Sequence, residues 1–253
     1  MNLFRIRGIQ LAVHFSFFLL LAYRAQEGWM ESGWPGLIGY VTTLIAFFTC
    51  VVLHELGHSF TAMHFGIGVR RILLMPIGGM AEMDDIPRQP SRELLITLAG
   101  PAVNFVIAGL LWLGLTLAHV PDDTELGYSL AGFAYELLVW NLAMGIFNLL
   151  PAFPMDGGRI LRALLAVKMN YMKATFWAVS IGKVISGLGA VIALWYHVPM
   201  LAVLFAFIFF AGEAEYRAVK RREIEDAHWR AVLARTYAAN LPPPAEEPPV
   251  LAP

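Results

Sequence analysis

Residues 36–53 run without a single charged side chain, and the run closes on His54-Glu55-Leu56-Gly57-His58. A stretch of roughly 20 apolar residues is what a helix needs to cross the hydrocarbon of a bilayer. The chain must therefore fold with three ionisable groups close to membrane depth, where such groups are costly and mark function by default. On a helix, His-Glu-x-x-His sets its imidazoles one turn apart on one face, the separation that two ligands of one tetrahedral zinc ion require. Glu55 lies beside the pair, where it can take a proton from a water. The five-residue pattern is short enough to arise by chance. Its membrane setting is what gives it weight.

Composition agrees with that setting. Hydrophobic residues make up 58% of the chain and charged residues 15%, whereas a soluble domain carries about a quarter charged residues. An integral membrane protein follows, with the lipid bilayer as solvent. Nothing in the charge balance points to nucleic acid: the net charge is −1. The single cysteine, Cys50, excludes a disulfide framework and a thiolate-rich metal site; one turn before His54, it reads as a small core residue.

Six apolar segments stand out, at 8–23, 36–64, 94–119, 128–150, 173–197 and 199–216. The first lacks a small-x-small exit and reads as a retained span rather than a cleaved leader. Of the eighteen Lys and Arg residues, all but Arg24 and Lys183 fall on one side of a six-span layout. The opposite side offers Asp122, Asp123 and Glu125 between the third and fourth spans. Excess Lys and Arg mark the cytoplasmic side, so both termini are expected in the cytoplasm. Lys183 falls within a span, where snorkelling or pairing with an acid is the ordinary outcome.

Two histidines leave room for a third protein ligand. Asp156 is the candidate, in Asn148-Leu149-Leu150-Pro151-Ala152-Phe153-Pro154-Met155-Asp156-Gly157-Gly158. Two prolines end the fourth span, and two glycines then permit tight turning. The bland alternative is that Asp156 caps the following segment in an ordinary turn. Topology favours the ligand, because the second and fourth spans both run inward and bring His54, His58 and Asp156 to the same membrane face. His64 lies on a different helix face from His58, and His119 and His197 lie at the opposite boundary. His14, in the first span, reads as a buried, hydrogen-bonded side chain.

With these elements in order, the chain resembles the site-2 protease family of intramembrane zinc metalloproteases over about residues 8–215. The resemblance rests on the His-Glu-x-x-His run and on an Asn-x-x-Pro-x-x-x-x-Asp-Gly pattern met by Asn148, Pro151, Asp156 and Gly157. A Gly-x-x-x-Asn element (Gly100 to Asn104) and a Pro-x-Gly-Gly element (Pro76, Gly78, Gly79) accompany them. The family implies one zinc ion held by His54, His58 and Asp156, with Glu55 as general base. It implies that Asn148 and Pro151 shape a substrate channel, that the substrate is a single-span membrane protein, and that a membrane regulator is a natural partner. A prokaryotic cytoplasmic membrane is the expected location. The loop between the third and fourth spans is too short for the periplasmic PDZ module of one branch. The layout resembles the sporulation-type branch, but the residues after the sixth span leave no room for its CBS pair, so nucleotide sensing is not expected.

The expected fold is an all-α polytopic membrane protein: six transmembrane helices with a small membrane-associated β-hairpin. The six-span domain occupies residues 1–220, a charged helical cytoplasmic segment 221–240, and a disordered Pro-rich tail 241–253. The hairpin is read from residues 69–83, which hold Pro76 and two glycines. Its exposed edge could take up an unwound substrate segment by β-addition; a plain cytoplasmic turn is the alternative. Asn148 or Asn104 could hydrogen-bond the substrate, or could bridge helices. A membrane-tethered zincin using Glu136 as third ligand fits poorly, because Glu136 lies toward the wrong side. A metal transporter or an inactive scaffold would call for a missing glutamate or acids spread over several spans, and Glu55 is intact.

Overall fold

The computed structural model describes residues 1–76, 78–84, 88–120 and 129–240, with side chains to Thr236. The acidic loop residues Asp122, Asp123 and Glu125 and the tail 241–253 lie outside these residues. The elements are β1 (Asn2–Ile6), β2 (Ile9–Val13), α1 (Phe15–Ser32), α2 (Trp34–His64), β3 (Val69–Met75), β4 (Gly78–Met83), α3 (Pro90–Leu117), α4 (Leu130–Asn148), α5 (Asp156–Ala166), α6 (Tyr171–Trp195) and α7 (Pro199–Asn240).

Among the described residues five helices, α2, α3, α4, α6 and α7, are long and apolar enough to cross a membrane. The sequence suggests six. The difference lies in the first apolar segment, which is not one helix: residues Ile9–Val13 form β2, and α1 starts only at Phe15 and goes on to carry Arg24, Glu27 and Glu31. His14 marks the change of conformation. It is exposed rather than buried, and its Nδ1 caps α1 by accepting from the Ser16 amide at 3.3 Å.

The strand is apolar because the sheet buries it. Ile9, Leu11 and Val13 of β2 pack with Ile72 and Leu74 of β3 and with Phe48, Val51 and Leu56 of α2. Residues 69–83 form a hairpin, β3–β4, but it is half of a larger unit. The sheet has the order β1-β2-β3-β4, antiparallel at both outer pairs and parallel between β2 and β3. A parallel pair needs a long crossover, and the α1–α2 hairpin provides it. Those two helices meet at Gly28 and Gly36, where a Cβ on either would collide with the other's backbone carbonyl. The sheet leaves β1 and β4 as its edges.

On the other flank, α6 and α7 hold the link between α4 and α5. Phe153 packs among Ala178 and Val179 of α6, and Met155 against Ile208 of α7. Lys183 of α6 pairs with Glu213 of α7, which also receives Arg217 at 2.8 Å. α7 continues unbroken through Asn240, so residues 221–240 are helical, and Arg88 reaches this extension at Glu223 (3.1 Å) and Asp226 (2.5 Å).

A buried charge cluster joins α3, α5 and α7. Arg162 of α5 is fully buried; its Nε and Nη2 donate to Glu93 Oε1 at 2.8 and 2.5 Å, and its Nη1 donates to Glu215 Oε1 at 2.8 Å. The guanidinium also lies over the rings of Phe153 and Tyr171. Removing one member of such a pair strands the other charge, at about 3–5 kcal/mol, whereas replacing both is far milder. Arg162→Met should therefore lower the unfolding temperature of the detergent-purified protein sharply, and the double variant Arg162→Met, Glu93→Gln should recover part of that loss. Equal melting of the two variants would remove the pair from its role.

Candidate metal centre

The centre begins with one turn of α2. His54 and His58 share a face, and their Nε2 atoms lie 3.1 Å apart. Asp156 Oδ2 approaches them at 3.3 and 3.2 Å. Asp156 is not the cap of α5. That place belongs to Met155, and Asp156 is the first helical residue, its side chain turned to the imidazoles. Gly157 and Gly158 make this geometry feasible, since a Cβ on either would strike the backbone of the preceding loop.

α3 sets both rings. The carbonyl of Ile96 faces His58 Nδ1 at 2.8 Å, and Asn104 Oδ1 faces His54 Nδ1 at 2.5 Å. A backbone carbonyl can only accept, so His58 Nδ1 carries the proton, which in the neutral ring leaves the lone pair on Nε2. The same holds for His54 with Asn104 Oδ1 as acceptor. Gly100, between these two contacts, supplies the clearance: a Cβ there would overlap His58 Nε2 and come within 2.7 Å of His54 Nε2. Gly57 of α2 similarly lets α3 approach, with Ala99's carbonyl 2.7 Å from where its Cβ would stand.

Three electron-pair donors thus face one another in a buried space. Asp156 Oδ2 has no hydrogen-bond partner among the described residues. A tetrahedral ion with ligands at about 2.0–2.1 Å separates them by about 3.3 Å, the spacing observed. The residues fit a divalent metal. His54, His58 and Asp156 form a possible ligand group of this kind among the described residues.

Glu55 stands next to the triad, half-buried, and makes no hydrogen bond or ion pair with any described residue. It faces β4, where a Cβ on Gly79 would meet Glu55 Cγ at 2.7 Å. Gly78, at φ +136°, begins that strand.

The other residues singled out from sequence lie elsewhere. Asn104 is fully buried and its amide is committed on both sides, to His54 and to Asn141 Oδ1 at 2.9 Å, so it stands behind His54 and not at an open face. Asn148 Nδ2 bonds back to the Met144 carbonyl at 3.0 Å. The carbonyl oxygen of Pro151 lies 3.5 Å from where a Cβ on Gly182 of α6 would stand. Glu136 accepts from Trp140 Nε1, one turn along α4, at 3.5 Å. His119 and His197 close α3 and α6 with positive φ (53° and 56°). Cys50 is buried and accepts from Asn141 Nδ2 at 3.3 Å.

The family model for peptidase family M50 matches residues 42–131 and 120–188, which carry the whole of this centre. The chain belongs to peptidase family M50. Among M50 relatives, a zinc metalloprotease of Methanocaldococcus jannaschii is 40% identical over 219 residues, 87% of this chain and 61% of that protein. A protein of Synechocystis named as a zinc metalloprotease is 34% identical over 70% of this chain and 47% of its own length. Stage IV sporulation protein FB of Bacillus subtilis is 28% identical over 58% of this chain and 48% of its own. The chain therefore spans only about half to three fifths of these relatives. A solved site-2 protease from Methanocaldococcus jannaschii superposes with a TM-score of 0.62 at 40% identity, covering 85% of this chain and 94% of that one. Family membership and the five apolar helices together make this an integral membrane protein.

For this M50 member the clearance at Gly100 gives a sharp test. Gly100→Ala should purify folded yet without stoichiometric metal, as measured by elemental analysis against the parent chain. Full metal content in that variant would mean that the histidines are not the ligands.

Proposed function

We propose that this chain is a zinc-dependent intramembrane endopeptidase that cleaves the transmembrane segment of a single-span membrane protein. The observation that carries the reading is the convergence of His54 Nε2, His58 Nε2 and Asp156 Oδ2, three lone pairs within 3.3 Å of one another that repel unless a cation lies between them. Two imidazoles and one carboxylate suit zinc, and two of the relatives above are named as zinc metalloproteases. Bound there, the ion supplies a Lewis acid that activates water and polarises a carbonyl.

The rest falls to the chain's own groups. Glu55, without a hydrogen-bond or ion-pair partner among the described residues, takes a proton from the attacking water at its carboxylate and returns it to the leaving amine. A peptide bond within a helix is shielded by its own hydrogen bonds, so the substrate must unwind locally. β4 is an edge of the sheet and lies along Glu55. An unwound segment pairing with β4 satisfies its backbone groups by β-addition, and Gly78 and Gly79 let it come close. The family resemblance assigns Asn148, at the end of α4, and Pro151, just beyond it, to the substrate channel. Asn104 supports His54 and does not touch substrate. The distribution of Lys and Arg supports a cytoplasmic position for both termini, the sheet and the centre, with α1 carrying the chain from the sheet to the opposite face before α2 crosses.

The test is coexpression in bacterial membranes with a panel of tagged single-span substrates. The parent chain should release a fragment; Glu55→Gln should retain zinc and abolish the fragment; Asp156→Ala should lose both. Normal cleavage by Glu55→Gln would refute the general-base role, and zinc retained at full occupancy in Asp156→Ala would refute the ligand set.

A further inference from the structure

The polarity of a buried amide relay points to a residue outside every motif of the sequence. Asn141 of α4 is fully buried, and its Nδ2 donates to the carbonyl of Leu137 at 2.8 Å and to Cys50 Sγ at 3.3 Å. A backbone carbonyl only accepts, so the amide of Asn141 cannot be turned over: its reverse would set two oxygens against each other. Its Oδ1 must therefore face Asn104, which it does at 2.9 Å from Asn104 Nδ2. That contact fixes the second amide in turn. With its nitrogen held by Asn141 Oδ1 and by Met144 Sδ at 3.6 Å, Asn104 must present Oδ1 to His54 Nδ1. The proton of His54 is thereby held on Nδ1 and the lone pair on Nε2, the atom aimed at His58 and Asp156.

We propose that Asn141 is a positioning residue for the metal centre: by orienting the Asn104 amide, it fixes the tautomer in which His54 can act as a ligand through Nε2. The proposal rests on the metal reading above. Without Asn141 Oδ1, the Asn104 amide is free to turn and offer its NH2 to His54 Nδ1, which stabilises the opposite tautomer and puts a proton where the metal belongs. Groups that orient a ligating histidine in this way typically change metal affinity 10–100-fold.

An amide can turn over usefully; a carboxylate cannot, because both its oxygens accept. This separates orientation from packing. Cobalt(II) affinity of the detergent-purified full chain, measured by chelator competition and by the d–d absorption of the bound ion, is the readout. Asn141→Leu should weaken cobalt binding by about tenfold or more. In an Asn104→Asp background the same substitution should cost less than about threefold, because residue 104 then accepts from His54 Nδ1 whichever way it turns. Asn141→Asp, which when protonated keeps both an acceptor for Asn104 and a donor for Leu137, should stay close to the parent and serves if the leucine variant does not fold. Equal losses for Asn141→Leu in both backgrounds, or an Asn141→Asp variant as weak as the leucine one, would overturn the relay while leaving the metal centre standing. A parent chain that binds no cobalt, or binds it equally well as Asp156→Ala, would instead overturn the centre itself and the relay with it.

Discussion

The contact on which the rest depends is the close approach of α3 to the histidine turn of α2. It requires that Gly57 and Gly100 lack side chains, and it delivers two hydrogen-bond acceptors, the Ile96 carbonyl and Asn104 Oδ1, to the inner nitrogens of both rings. Metal-ligating histidines generally need such a partner on the other nitrogen. Here both come from one helix, so a shift of α3 would disturb the two imidazoles together. The third candidate donor, Asp156, arrives from a different direction, at the head of α5, and needs its own means of staying in register.

The buried cluster around Arg162 meets that need. Glu93 lies one turn before Ile96 on α3, and Arg162 lies on the short helix that Asp156 opens. Their ion pair ties the support of the histidines to the helix of the aspartate. Phe153, buried among α6 residues and beneath the guanidinium, secures the loop in between. Charge is expensive at this depth, and this cluster spends three charges, two of them fully buried, on one junction. The junction so held lies beside His54, His58 and Asp156.

Much of this was legible in the sequence, for identifiable reasons. Helical spacing puts His54 and His58 on one face in any context, and alternation of the spans brings Asp156 to the same side. The hairpin at residues 69–83 was marked by Pro76 and its glycines. Its union with the N-terminal strands was not, because the β2–β3 pairing spans the whole α1–α2 hairpin and no local signal encodes it. For the same reason Ile9–Val13 passed for part of a membrane helix: five apolar residues fit a buried strand as well as a helical turn. Arg162 counted only as one more cytoplasmic cation, since what distinguishes it is the acids that fold against it from two other helices. Asn104 was visible, but its role was not. Only the position of Asn141 shows that its amide is already spoken for.

One dimension of the structure carries a mechanical consequence. At 1.5 Å per residue, the 42 residues of α7 make a rod about 63 Å long, twice the roughly 30 Å of bilayer hydrocarbon. Glu215, the residue of α7 that grips Arg162, sits partway along it, and the stretch beyond to Asn240 forms an arm of about 37 Å. An arm of that reach moves its tip by about 0.65 Å for each degree of rotation at Glu215, as its length fixes. Arg88, which holds the arm at Glu223 and Asp226, governs how much of that motion reaches the junction at Arg162.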